Sequence, residues 1–194
     1  MTIKKRLSFL FLLWMSCSSG VHGQQNPSAT LQPQPKVFRA GAATANITPP
    51  LGLPIVGNYK TPLATHVHDE LHARCLVLDD GTTKLVFAIV DNVGVDRRVF
   101  DEAKQLIEKS TGIPRDHMLM SATHTHSATS AGGLDEKRRG WNEDDPLDDY
   151  QKFLARRIAD GVQVARNNLE PARIGFGVGS LPQHLFNRRW KMKT

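Results

Sequence analysis

Two apolar, branched runs, Ala73 to Leu78 and Lys84 to Val90, are joined by Asp79-Asp80-Gly81-Thr82-Thr83. This pairing restricts the fold more than any other stretch. Gly and Asp accept the backbone angles of a tight reversal, so the two runs predict a β-hairpin. Beyond Asp91-Asn92 the apolar period changes. Phe100, Ala103, Leu106 and Ile107 recur at helical spacing, which predicts an amphipathic helix over Asp96 to Ser110, stopped by Gly112 and Pro114. Met118-Leu119-Met120 then opens another strand, and a strand–helix–strand unit ordinarily joins parallel neighbours.

The flanks extend the same pattern. Val37, Phe38, Ala40, Ala42, Ala45 and Ile47 suggest a first strand within Val37 to Thr48, turned by Pro49-Pro50-Leu51-Gly52. Tyr150, Phe153, Leu154, Ile158, Val162, Ala165 and Leu169 outline a second amphipathic helix. Ile174, Phe176 and Val178 alternate with glycine, so Arg173 to Ser180 is expected to be a strand that tolerates close approach on one side. The fold class is therefore α/β, a mixed sheet with a hairpin and flanking amphipathic helices. Residues 37–194 are expected to be the first portion of a larger α/β domain, because nothing after Trp190 resembles a closing element.

The N-terminus is a different kind of sequence. Lys4, Lys5 and Arg6 precede the uncharged apolar run Leu7 to Met15, and Val21-His22-Gly23 offers a cleavage point before Gln24. Residues 1–23 thus read as a secretory signal peptide, too short in its apolar part for an ordinary membrane span. Secretion or export to a periplasm is expected. A lipid anchor at Cys17 is disfavoured, since Trp14 and Met15 do not fit the small-residue pattern before such a cysteine. Removing this segment takes three of the six net positive charges with it. No basic stripe with interleaved aromatics remains, which argues against a nucleic-acid partner. Residues 24–36, rich in Gln, Pro, Ser and Asn, read as a flexible leader. Cys75 is left without an intrachain partner and reads as a small core residue.

Chemistry gathers at Ser121-Ala122-Thr123-His124-Thr125-His126-Ser127. In an extended chain, residues two apart share a face, so His124 and His126 would project to the same side. Two imidazoles at a strand end suit metal binding or proton transfer, and they equally suit a polar strand terminus. His66, His68 and His72 form a second cluster. Its sequence reads HDELH where a zincin helix needs HExxH, and a solvated or site-rim segment is the preferred reading. The acidic run between Asp135 and Asp149 reads as a solvated loop. Asp91 reads as a turn residue at a strand end.

Five segments in order carry a family resemblance: Ala45-Asn46-Ile47-Thr48-Pro49-Pro50, the Arg74 strand with its Asp79-Asp80-Gly81 turn, Val90-Asp91, Thr123-His124-Thr125-His126-Ser127, and Asn187-Arg188. Together they resemble the N-terminal part of the neutral/alkaline, non-lysosomal ceramidases. The resemblance implies a zinc-dependent amide hydrolase that cleaves N-acylsphingosine to sphingosine and a fatty acid. It implies His124 as a Zn2+ ligand, His126 as a catalytic neighbour of the metal, and Arg188 as a residue lining the active site. In that family the remaining ligands, a histidine, a glutamate and a tyrosine, come later than Thr194, so this chain is not expected to catalyse alone. The family's HSGPGG continuation is replaced here by Ser127-Ala128-Thr129-Ser130-Ala131-Gly132-Gly133, which implies a different pocket mouth.

Three functions stay in view. The first is the ceramidase-type hydrolase, with a lipid or other small amide as substrate. An amidohydrolase barrel also uses an HxH pair, but normally on its first strand, whereas here at least three strands precede it. A non-catalytic exported binding or vestigial domain is the third, and it predicts a protein without zinc.

Overall fold

The computed structural model describes residues 36–57, 59–132, 146–186 and 189. Their core is a five-stranded mixed sheet: β1 (Arg39–Asn46), β2 (His72–Asp79), β3 (Lys84–Val90), β4 (Met118–Ala122) and the short β5 (Glu170–Pro171). The strand order is β4-β3-β2-β1-β5. The pairs β5–β1, β1–β2 and β2–β3 are antiparallel, whereas β3 and β4 are parallel. The helix between that parallel pair is α1 (Arg97–Thr111), and a second helix, α2 (Asp149–Asn167), precedes β5.

Alternation along the strands decides which face is covered. Ala73, Cys75 and Val77 of β2 and Val86, Ala88 and Val90 of β3 are buried, and they share one core with Val99, Ala103 and Ile107 of α1 and Leu154, Ile158 and Val162 of α2. Helix α2 lies over β1 and β2, with α1 packed beside it. The approach is close because two glycines allow it. A Cβ on Gly161 of α2 would lie 2.9 Å from the Cys75 sulfur, and one on Gly41 of β1 would lie 2.1 Å from the Ala165 carbonyl oxygen. Burial in this layer raises the Cys75 thiol to about 12, so the cysteine stays a protonated core group. The opposite face of the sheet carries Leu76, Leu85 and Leu119, all exposed. Leu76 stands opposite Phe87, and Phe87 opposite Leu119, so the apolar band crosses three strands.

Element ends follow their local chemistry. Asp96 caps α1 by accepting from the Arg98 backbone N–H, and Gly112 closes the helix in the left-handed region at a φ of +73°. The Arg98 guanidinium, opposed by burial and helped by the Arg98 backbone N–H, holds the Asp96 carboxyl below the usual carboxylate range. Asp148 and Gln151 form a reciprocal capping box at the start of α2. The hairpin turn is fixed by Asp79, whose fully buried carboxylate accepts from Arg39 at 2.6 Å and from the Gly81 backbone N–H at 2.8 Å.

One expected strand is missing. Arg173 to Ser180 does not pair with the sheet, and the strand ends at Pro171 after two residues bonded to β1. Ile174, Phe176 and Val178 are left exposed. Alternation fixes which side chains share a face, but a strand also needs a neighbouring edge to bond, and no strand lies beside this stretch among the described residues.

The Gly41 contact gives a direct test of the layer spacing. Gly41→Ala is expected to destabilise the fold by about 1–3 kcal/mol or more, because the new methyl meets helix backbone that cannot rotate away. Urea unfolding checks this, and an unchanged midpoint would contradict the packing described.

Candidate metal centre

The parallel pair β3–β4 ends at one edge of the sheet, with Val90 opposite Ala122. Such an edge is where α/β sheets ordinarily gather ligands, because the loops leaving adjacent strands diverge there. One loop is Asp91 to Asp96 and the other is Thr123 to Gly132. Strand β4 stops at Ala122, two residues before the first histidine. The histidines are therefore loop residues, and simple strand alternation does not aim them.

What aims them is a backbone reversal and one strong hydrogen bond. His124 has a φ of +59°, in the left-handed region, and no other non-glycine does so among the described residues. That conformation costs about 1–2 kcal/mol for an L-residue and persists only where its surroundings enforce it. Here Nδ1 of His124 lies 2.6 Å from the Val93 carbonyl oxygen. A carbonyl can only accept, so Nδ1 carries the proton, and in that tautomer Nε2 is the ring's acceptor, turned toward His126. That Nε2 lies 3.3 Å from Nε2 of His126. The rings meet edge to face, 4.9 Å apart at 75°.

This spacing has a chemical meaning. Two nitrogens bound at about 2.0–2.1 Å to a tetrahedral zinc stand about 3.3–3.4 Å apart. The 3.3 Å contact is a hydrogen bond between the two rings, and the same spacing is close enough for a metal held by one ring to lie beside the other. A backbone carbonyl behind the far ring nitrogen is also the usual way a metal-binding histidine is held in one tautomer. Among the described residues, no group of three or more His, Cys, Asp or Glu side chains is gathered to complete a shell. Arg188 and the acidic run from Asp135 to Asp145 lie outside the described residues.

The two loops are locked together by Asn92, whose side chain is fully buried. Its Oδ1 accepts from Gly94 N–H at 3.2 Å and from Ala131 N–H at 3.0 Å. Its Nδ2 donates to the Tyr150 hydroxyl at 3.3 Å, and that hydroxyl donates onward to the Ile47 carbonyl at 3.2 Å. Gln151 adds a bond from Nε2 to the Ala131 carbonyl. One amide side chain thereby joins the exit of β3, the loop beyond the histidines, the start of α2 and the exit of β1. Burial raises the Tyr150 phenol to about 12, so it remains a neutral donor.

A third segment reaches the pair. The ribbon from Gly52 to Ala64 is closed on itself by Gly52 N–H to Ala64 and Ala64 N–H to Leu53. It is bonded to the histidine loop through Val56 N–H and the Ala128 carbonyl at 3.0 Å. Its next residue, Gly57, lies against the His126 ring.

The second histidine cluster does not join this centre as a unit. His66 and His68 are exposed, with His68 bonded to the neighbouring Asp69, while His72 opens β2. Asp91 accepts from the His72 backbone N–H at 3.1 Å and from Arg74 at 2.7 Å, tying the exit of β3 to the start of β2. Asn92, Val93, Gln151 and Gly57 have parts at this centre that the sequence did not reveal. For Asn92 and Gly57 the available signals were an Asn two residues after a strand and a Gly in an otherwise ordinary loop.

No family model matches the sequence. The structure is similar to a neutral ceramidase from Pseudomonas aeruginosa, 20% identical over 70% of this chain with a TM-score of 0.55. It is also similar to a ceramidase described as complexed with C2, 19% identical over 70% of the chain with a TM-score of 0.54. The chain spans 22% of the length of each. At these identities the likeness is one of fold.

The Asn92–Tyr150 link can be measured by a double-mutant cycle. Asn92→Ala removes the acceptor of the Gly94 N–H, one of the two acceptors of the Ala131 N–H and the donor to the Tyr150 hydroxyl, and is expected to cost about 1–3 kcal/mol. Tyr150→Phe is expected to cost about 1–2 kcal/mol. Their coupling in chemical unfolding should be about 1 kcal/mol, and strict additivity would show that the two side chains act separately.

Proposed function

We propose that this chain is the zinc-bearing first part of a ceramidase-type amide hydrolase acting on a lipid amide, an N-acylated sphingoid base. The observation that carries the reading is the convergence of the two Nε2 atoms at 3.3 Å, at the carboxyl edge of a ceramidase-like sheet. In this reading His124 holds Zn2+ through Nε2, with its tautomer set by the Val93 carbonyl. The metal, when bound, supplies Lewis-acid activation of water and of the amide carbonyl. His126 takes the proton released as water adds to that carbonyl and returns it to the amine as the C–N bond breaks. Arg188 donates to the oxygen on which negative charge develops. The remaining zinc ligands come from residues outside this chain's described part. Export through the N-terminal signal peptide belongs to the same proposal, and it would bring the enzyme to lipid outside the cytoplasm.

Metal binding and catalysis separate the two histidines. Zinc titration is expected to give one site, weakened at least about 10–100-fold in His124→Ala. In a chain that contains the complete ligand set, His126→Ala is expected to lower the rate of fatty-acid release from N-acylsphingosine by about 10²–10⁴-fold while zinc stays bound. Equal zinc binding by wild type and His124→Ala would overturn the proposal and favour a non-catalytic domain.

A further inference from the structure

We infer that Gly57 is a positioning residue for His126: its bare backbone is the surface on which that imidazole rests. The inference rests on the proposed role of His126, but the contact itself does not. A Cβ built on Gly57 would lie 2.6 Å from Cγ of His126, 2.9 Å from its Cβ and 3.0 Å from Cδ2. The collision involves the root of the ring as well as one edge, so a small rotation of the imidazole cannot relieve it. Any side chain here would push His126 bodily from the Gly52–Ala64 ribbon.

Two features make this a built contact. The ribbon is pinned at the adjacent residue, where Val56 N–H bonds the Ala128 carbonyl two residues beyond His126. Ring and ribbon therefore belong to one bonded frame and cannot easily separate. Gly57 also has a φ of +113°, a conformation that L side chains rarely adopt. The same residue is thus required to be glycine twice, by its backbone and by its neighbour. The aim of His126 Nε2 toward His124 then has two sources. Val93 fixes one ring from behind, and Gly57 supports the other from the side.

Gly52 supplies the control. It lies in the same ribbon at a φ of +93°, but a Cβ there meets nothing within 4 Å. Gly52→Ala therefore imposes comparable backbone strain without touching the imidazole. In metal-free protein labelled at histidine, ring-to-ring nuclear Overhauser contacts between His124 and His126 are expected in wild type and Gly52→Ala and are lost in Gly57→Ala. In a chain that contains the complete ligand set, the rate of amide cleavage is expected to fall about 10-fold in Gly57→Ala relative to Gly52→Ala while zinc stays bound, because a displaced general base loses part of its contribution. Retention of the ring contact in Gly57→Ala, or equal loss in both variants, would overturn the inference. If Gly57→Ala does not fold, the wild-type contact between the Gly57 Hα protons and His126 Hδ2 decides it: presence supports the inference and absence overturns it. Failure of wild type to bind zinc with the ring contacts intact would count against the proposed function and leave the positioning role standing.

Discussion

The hydrogen bond from His124 Nδ1 to the Val93 carbonyl is the interaction on which the candidate centre depends. Without it, a histidine in a loop after a strand has two free rotations and two tautomers. With it, one nitrogen is occupied and the other is offered in a fixed direction. The strained φ of +59° becomes intelligible in the same terms, since the left-handed turn brings the ring back toward the loop that carries Val93. The fold makes this possible by ending two parallel strands side by side and bonding their outgoing loops through Asn92.

The buried side of the sheet serves the same end. Asn92 can act as a connector only because α2 brings Tyr150 and Gln151 to the sheet edge. Helix α2 can come that close only because Gly41 and Gly161 leave room for it. Close packing therefore propagates from the strand centres to the loop geometry, as expected where interiors have little slack. The other face is built differently. Its band of Leu76, Phe87 and Leu119 is apolar and partly open, so the sheet has two faces of apolar character and one covering layer among the described residues.

Much of this was legible in the sequence, for identifiable reasons. The hairpin and both helices follow from local turn chemistry and period, which act within a few residues. The parallel crossover follows from a helix between two strands. The sequence places His124 and His126 on one face only if the strand runs through them, and it does not. Strand alternation would have aimed them, whereas the strand ends at Ala122 and a left-handed loop residue does the work. Arg173 to Ser180 shows the converse limit, because its alternation is genuine and its bonding partner is not written in its own residues. Asn92 and Gly57 act through groups about 40 and 70 positions away in sequence, and no local pattern encodes such contacts. Arg188, named by resemblance, lies outside the described residues.

The central claim is that His124 is held as the Nδ1–H tautomer, so that its Nε2 is an acceptor directed toward His126. Long-range ¹H–¹⁵N correlation of the histidine rings, recorded on metal-free protein at a pH where the ring is neutral, tests this most directly. A protonated Nδ1 and an unprotonated Nε2 at His124 are the predicted result. The opposite tautomer, or rapid averaging between the two, would contradict the account.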